Sequence, residues 1–202
     1  MPIIRHEWKG LDFGRVFGGL AWPSDKPGFA VIVGEERFPA IGTKDYHCYL
    51  IAEVEEQSLQ SLIAWCAELA AIYNVQNFYG RRHPPCIRYL NVRNREVSER
   101  GLPEFRVSQT PNSEDGFIEY HINILLHRLS NEHQTLHLHK DSRLPGYLTA
   151  VPANGISTAT ESQFPAVAAL GYAISALTIY KPRTEVIEYR RVETGRNPIS
   201  GY

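Results

Sequence analysis

The first third of the chain carries short apolar runs separated by turn residues, which is the pattern of β-strands. The runs cover 8–13, 17–22, 29–33 and 46–54, and the segment 23–28 between two of them is rich in Pro, Asp and Gly. Aromatic and branched residues are frequent in these runs, as they are in strands. We therefore predict an antiparallel meander of three or four strands.

The period then changes to that of a helix. Leu62, Cys66, Leu69 and Tyr73 recur at helical spacing, and Ser58 is a suitable N-cap for this helix. The run 75–79 follows as the next strand. A strand, a helix and a strand in this order favour a parallel neighbour reached by a right-handed crossover.

The rest of the chain alternates polar stretches with further helices. Residues 80–115 are rich in Arg, Asn, Pro and Ser, and we predict irregular structure there with a short strand at 87–92. A helix is predicted from 118 to 129, a strand at 135–139, and a short helical or extended segment at 144–151. The last helix, from about 163 to 180, follows a polar loop and is apolar nearly all round, so we expect it to be deeply packed.

Composition places the chain among globular proteins. It has 202 residues, of which 43% are hydrophobic and 21% charged, and its net charge of −1 gives no overall support for binding to phosphates. Three cysteines without a CxxC motif predict reduced, buried thiols. We find no apolar signal segment and no apolar run of membrane-spanning length, so we predict a cytoplasmic protein that does not enter a membrane.

Three local features carry a resemblance to a known fold. Asp12 stands at the start of the first hairpin, within 11–22, a helix and strand follow through 62–75, and the segment 168–173 reads Ala-Ala-Leu-Gly-Tyr-Ala. In order and spacing the chain resembles the ribonuclease H-like fold, and more narrowly the nuclease domain of phage large terminases. The resemblance implies an α/β domain over 1–183, with a mixed central sheet of about five strands flanked by helices. An edge strand and loose tail would occupy 184–202.

The resemblance also implies a function and a site. The acids of that family hold two divalent metal ions about 4 Å apart, and oxygen ligands suit Mg²⁺ or Mn²⁺. By this resemblance Asp12 and Glu161 would bind the metal, and Glu56 would complete the catalytic set. The chain would be a metal-dependent DNA nuclease of phage or prophage origin. Because it has no GxxxxGK[ST] loop, a packaging ATPase or another phage protein would be a separate partner.

The sequence departs from the family at two expected acids, and this leaves an alternative open. The strand at 77–80 has no carboxylate, and Ala168 stands where the last helix of the family carries charge. The alternative is a catalytically inactive ribonuclease H-like module with a binding or structural role. An unrelated α/β protein is a third interpretation.

Nucleic acid would be bound through four arginines that lie in or near the irregular stretch. These are Arg81, Arg82, Arg93 and Arg95, and Tyr79 and His83 would stack on bases among them. His137 and His139, two residues apart on the predicted strand, form a candidate metal pair with His133 or Asp141 as a further ligand. The alternative is that His137 and His139 are ordinary surface or core histidines that bind no metal.

Overall fold

Strands in both directions form one mixed sheet in the computed structural model, which describes residues 3–37, 46–99 and 104–179. The strands are β1 (Ile4–Arg5), β2 (Phe13–Ala21), β3 (Gly28–Glu36), β4 (Cys48–Glu56), β5 (Asn77–Gly80), β6 (Arg106–Gln109) and β7 (Leu136–His137). The helices are α1 (Leu59–Tyr73), α2 (Pro84–Ser98), α3 (Glu119–Leu129), α4 (Leu144–Thr149) and α5 (Pro165–Ile179), with a 3₁₀ helix at Ala153–Thr158.

The sheet has the order β1-β4-β3-β2-β5-β6, and β7 pairs with β4 beside β1. β2, β3 and β4 are antiparallel neighbours, as the predicted meander requires. β5 runs parallel to β2, and β6 runs parallel to β5, so the parallel neighbour predicted for the strand after α1 is confirmed. The protein is therefore an α/β protein with a mixed, open sheet of seven strands, two more than the predicted number of about five.

Each face of the sheet is covered by helices, and each side has its own apolar core. One core lies between the sheet and helices α3, α4 and α5, and it includes Val31 and Leu50. The other core lies between the sheet and helices α1 and α2, and it includes Ile32 and Val54. β3 is buried along almost its whole length because both of its faces are covered. None of the described helices has the length and apolar character needed to span a membrane.

The helix α5 lies directly on β2. A Cβ atom added to Gly19 would stand 1.9 Å from the carbonyl oxygen of Ala169, so only glycine lets the strand backbone approach the helix this closely. The same helix touches α3, because a Cβ at Gly171 would stand 2.6 Å from the Cβ of His121. The burial expected for the last helix is confirmed, and small residues on both partners are the reason.

Two predicted elements differ from the structure, and β6 lies in a stretch that was predicted to be irregular. The run 8–13 is not a strand: Trp8 and Leu11 close a turn, and β2 begins only at Phe13. The segment 87–92, predicted as a strand in an irregular stretch, lies inside α2, which begins with two prolines. Only Cys86 and Leu90 of α2 are buried, so its helical period is faint. β6 has no alternation of buried and exposed residues. The tail predicted for 184–202 lies outside the described residues.

We predict that Gly19→Ala destabilises the protein strongly. The added methyl group meets backbone rather than a side chain, so α5 must move, and overpacking of this kind costs about 1–3 kcal/mol or more. The measurement is the free energy of unfolding from urea denaturation.

Gly146→Ala is the matched control for this substitution. Gly146 lies in α4, and nothing lies within 4 Å of a Cβ placed there. Alanine in a helix is favoured over glycine by about 0.5–1 kcal/mol, so this variant should be as stable as the unmodified protein or slightly more so. Equal stability of the two variants would contradict the proposed contact.

Candidate functional site

A crevice at one end of the sheet is the first place to look for a site. The parallel strands β2 and β5 end side by side, at Ala21 and Gly80. After β2 the chain turns back into β3, whereas after β5 it continues through α2 to β6 on the other side. Ligands in open α/β sheets bind outside the carboxyl ends of strands at such a reversal of strand order. We call this place the switch-point crevice.

Glu161 lies at the switch-point crevice and is 6% exposed. One carboxylate oxygen accepts a hydrogen bond from the backbone N–H of Trp22 at 3.2 Å, and the other accepts from the Tyr172 hydroxyl at 2.9 Å. Burial raises the pKa of Glu161, although both hydrogen bonds and the charge of Arg81 oppose this shift. The Glu161 carboxylate therefore links the loop before α5 to Trp22, the residue that follows β2.

Arg81 is also held within the crevice. Its carbonyl oxygen accepts a hydrogen bond from the indole Nε1 of Trp22 at 2.9 Å. Its guanidinium lies against Gly116, where an added Cβ would stand only 2.6 Å from Nη1. Gly116 has a φ of +81°, in the left-handed region that favours glycine. Arg81 is therefore packed against Trp22 and Gly116, which line the crevice.

Asp12 lies at the opposite end of β2 from Glu161. Its carboxylate is 60% exposed and forms an ion pair with Arg37, with the Nη1–Oδ2 distance 3.1 Å. Ten residues of extended chain separate Asp12 from Trp22, the residue that Glu161 binds, which corresponds to about 33 Å. The structure therefore does not bring Asp12 and Glu161 together, and the predicted metal pair is not one site.

Glu56 is the last residue of β4, and it stands opposite Gly28 on β3. This is the same end of the sheet as Trp22, but two strand spacings, or about 10 Å, lie between β4 and β2. One oxygen of Glu56 accepts hydrogen bonds from the N–H groups of Gln57 and Ser58. Glu56 therefore orders the turn into α1 and is separate from the contacts of Glu161.

The four predicted nucleic-acid-binding arginines do not form one patch. Arg81 is held in the crevice and Arg82, beside it, is exposed. Arg93 is half-buried and close enough to Cys66 to lower the pKa of that thiol against the larger effect of burial. Arg95 is exposed in the last turn of α2, about 20 Å along the helix from Arg82.

The two predicted stacking residues also have other roles. Tyr79 is 8% exposed and packs against Phe17 in the core, with ring centroids 5.7 Å apart, so it is not available to a base. His83 is exposed, and its Nδ1 lies 3.1 Å from the sulfur of Cys86. Burial raises the pKa of Cys86, and Glu161 raises it further, so the thiol form is favoured over the nucleophilic thiolate.

The exposed side of α2 contains the predicted Arg95 together with Arg88, Tyr89 and Val92, which the sequence interpretation did not assign to a site. Arg88 and Arg95 are seven positions apart, hence on one side of the helix, and Cys86 and Leu90 are buried on the other side. Tyr89 and Val92 lie beside the arginines and are 38% and 57% exposed. We call Arg88, Tyr89, Val92 and Arg95 the arginine face of α2; Glu96 and Glu99 are also exposed beside them.

A signal for the arginine face was present in the sequence. Between Glu68 and Glu96 the chain has five arginines and no carboxylate. Once these residues form a helix, Arg88 and Arg95 point away from the core. Neither makes an ion pair or a side-chain hydrogen bond with the described part of the chain.

The histidines of the predicted metal pair have separate partners. Nε2 of His137 lies 2.7 Å from Nδ1 of His47, whereas Nδ1 of His139 lies 3.4 Å from Asp141. His139 also stacks on His6 with ring centroids 5.0 Å apart. No group of three or more metal-ligating side chains occurs among residues 3–37, 46–99 and 104–179.

Free, buried thiols are confirmed for all three cysteines. Burial raises the pKa of Cys48 to about 11, and it also raises the pKa of Cys66.

α2 lacks N–H groups at Pro84 and Pro85, its first two positions, so its N-terminus offers few donors to an anion.

His121, on α3, is fully buried against α5. Its Nδ1 lies 2.8 Å from the hydroxyl of Ser175, and its ring packs edge-on against Tyr172. Burial lowers the pKa of His121 to about 4, against smaller effects of the Asn112 backbone and of Glu114 that raise it. The histidine is therefore neutral in the folded protein at neutral pH.

We predict that this burial makes the protein acid-sensitive. Below pH 6.5 the unfolded chain takes up a proton at His121, whereas the folded chain does so only near pH 4. Stability therefore falls with pH in this window, by roughly 2 kcal/mol between pH 7.5 and 5 from this residue. His121→Leu should remove that part of the loss, as measured by urea denaturation at both values. An unchanged loss in the variant would contradict the prediction.

Comparison with models of protein families, with curated proteins and with solved structures finds no match to this chain.

Proposed function

We propose that the chain is a ribonuclease H-like module that binds nucleic acid without cleaving it. The strand arrangement supports the fold assignment: an antiparallel meander, β4-β3-β2, is extended by the parallel strands β5 and β6, with helices on both faces. The observation that carries the binding function is the arginine face of α2.

The acids implied by the terminase resemblance do not fit a two-metal site. Asp12 pairs with Arg37 at one end of β2, and Glu161 accepts two hydrogen bonds at the other. Metal ions shared by two carboxylates lie about 4 Å apart, far less than the length of this strand. At the end of β5, a Cβ on Gly80 would stand 2.3 Å from the carbonyl oxygen of Leu20. No carboxylate fits at Gly80 without moving β2.

The arginine face has the chemistry that nucleic acids bind. Guanidinium groups bind phosphates, and the exposed ring of Tyr89 offers a surface on which a base can stack. Arg88 and Arg95 supply two guanidinium groups in a chain whose net charge is −1, with Glu96 and Glu99 exposed beside them. For two phosphate contacts on duplex DNA, affinity should fall about 12-fold between 50 and 200 mM salt.

We predict that Arg88→Glu with Arg95→Glu abolishes most of the binding. Each substitution replaces a phosphate contact with repulsion, so the affinity should fall roughly 100-fold at 50 mM salt. The measurement is fluorescence anisotropy with labelled single-stranded and duplex DNA oligonucleotides.

Lys9→Glu with Lys140→Glu is the matched control, because it changes the net charge equally. Both lysines are exposed near β1 and β7, at the opposite edge of the sheet from β6. This control should bind as the unmodified protein does. Absence of binding by the unmodified protein at low salt, or equal losses in the two double variants, would refute the proposal.

A second prediction concerns catalysis. Plasmid DNA incubated with the protein and Mn²⁺ or Mg²⁺ should stay intact, because the three candidate acids occupy separate places. Asp12→Ala and Glu161→Gln should behave as the unmodified protein does on an agarose gel. Metal-dependent cleavage that either substitution removes would establish the nuclease interpretation instead.

A further inference from the structure

A polar cavity lies between the last turns of α2 and the start of β6. Its volume is about 560 Å³, within the range of about 300–1,000 Å³ that is usual for small-molecule sites. Besides the amides of Asn91 and Asn94, its lining has four charged side chains, which are Arg95, Glu99, Glu104 and Arg106. We call it the α2–β6 cavity.

The two walls of the α2–β6 cavity are fixed to each other and to the sheet. Nδ2 of Asn94 donates a hydrogen bond to the carbonyl oxygen of Phe105 at 2.7 Å. Phe105 is 1% exposed and packs edge-on against Phe78 in the core. The backbone N–H of Arg106 donates to the carbonyl oxygen of Gln76 at 2.9 Å. A ligand therefore meets an ordered backbone, and little backbone entropy is lost when it binds.

Each wall carries one positive and one negative side chain close together. Arg95 and Glu99 are four positions apart at the end of α2, so their Cβ atoms are neighbours at about 5–6 Å. Glu104 and Arg106 are exposed on either side of the buried Phe105, so both project to the same side of an extended chain. The four charges of the lining sum to zero.

These four charged groups do not hold the chain together. Within residues 3–37, 46–99 and 104–179, none of the four side chains forms an ion pair or a hydrogen bond. Guanidinium donors and carboxylate acceptors therefore line one cavity and are both open to a ligand. A ligand that itself carries both signs of charge engages both kinds of group at once.

We propose that the α2–β6 cavity binds a free α-amino acid with a polar side chain. Such a molecule carries its carboxylate and its ammonium group on one carbon atom, which matches the neighbouring charges of Arg95 and Glu99. A guanidinium binds a carboxylate through two parallel hydrogen bonds, and the Glu99 carboxylate accepts from the ammonium group. Glu104, Arg106 and Asn91 then contact the polar side chain of the ligand.

Arg95 belongs to both the α2–β6 cavity and the arginine face. A bound amino acid occupies its guanidinium, so nucleic acid should bind more weakly when the cavity is filled. This competition rests on the proposed function, whereas the binding of the amino acid does not.

NMR titration of the ¹⁵N-labelled protein tests the proposal with six probes: L-glutamine, L-asparagine, L-glutamate, L-aspartate, L-arginine and L-lysine. At least one of them should bind with a Kd of about 1 mM or lower, as expected for a ligand of roughly ten non-hydrogen atoms. It should shift the signals of residues 91–99 and 104–106. The N-acetyl amide of the same amino acid lacks both main-chain charges and should not bind.

Single substitutions locate the site. Arg95→Gln and Glu99→Gln should each weaken binding roughly tenfold or more, because each removes a hydrogen bond to a charged group. Arg88→Gln and Glu96→Gln are the matched controls, since both residues are exposed on the same helix and neither lines the cavity. Both controls should bind as the unmodified protein does, and circular dichroism checks that every variant is folded.

Three results would overturn the proposal. They are no binding of any of the six amino acids, equal binding of the N-acetyl amide, and losses in the controls as large as those at Arg95 and Glu99. Amino-acid binding by a protein that binds no nucleic acid would reject the proposed function alone. Nucleic-acid binding without any amino-acid binding would reject this proposal alone.

Discussion

The close contact between the backbone of β2 and α5 is the constraint on which most of the structure depends. Gly19 admits the carbonyl of Ala169, and Gly171 of the same helix admits α3. Because α5 lies so near the sheet, Glu161 just before it reaches the N–H of Trp22. The position of Glu161 in the switch-point crevice therefore depends on the packing of Gly19 and Gly171. The Glu161 carboxylate acts there as a structural hydrogen-bond acceptor.

The location of charge explains why we favour binding over catalysis. The carboxylates available for a metal site are dispersed: Asp12 and Glu161 lie at opposite ends of one strand, and Glu56 closes the turn into α1. Arg88 and Arg95 are instead on the exposed side of α2. Guanidinium groups placed in this way can bind phosphates, whereas the buried carboxylate of Glu161 supports the fold.

Several elements were predictable because their signal is local. The meander, α1 and α5 follow from apolar periodicity, since each buries a wide face. α2 was not predictable in the same way: it buries only Cys86 and Leu90, and its two prolines resemble a loop as much as a helix start. The separation of Asp12 from Glu161 could not be predicted for a related reason. Spacing along the chain indicated the first strand but not which of its ends faces the crevice, and nothing in the sequence tied Asp12 to Arg37.

The sequence by itself determined the element types wherever periodicity is strong, the burial of the last helix, and the accumulation of arginines without acids between 69 and 95. Only the tertiary structure decided which side chains meet, because residues as distant as Trp22 and Glu161 are brought together by sheet order and helix packing. The same holds for the arginine face. Arg88 and Arg95 belong to an arginine-rich run in the sequence, but only the formation of α2 puts them on one exposed side.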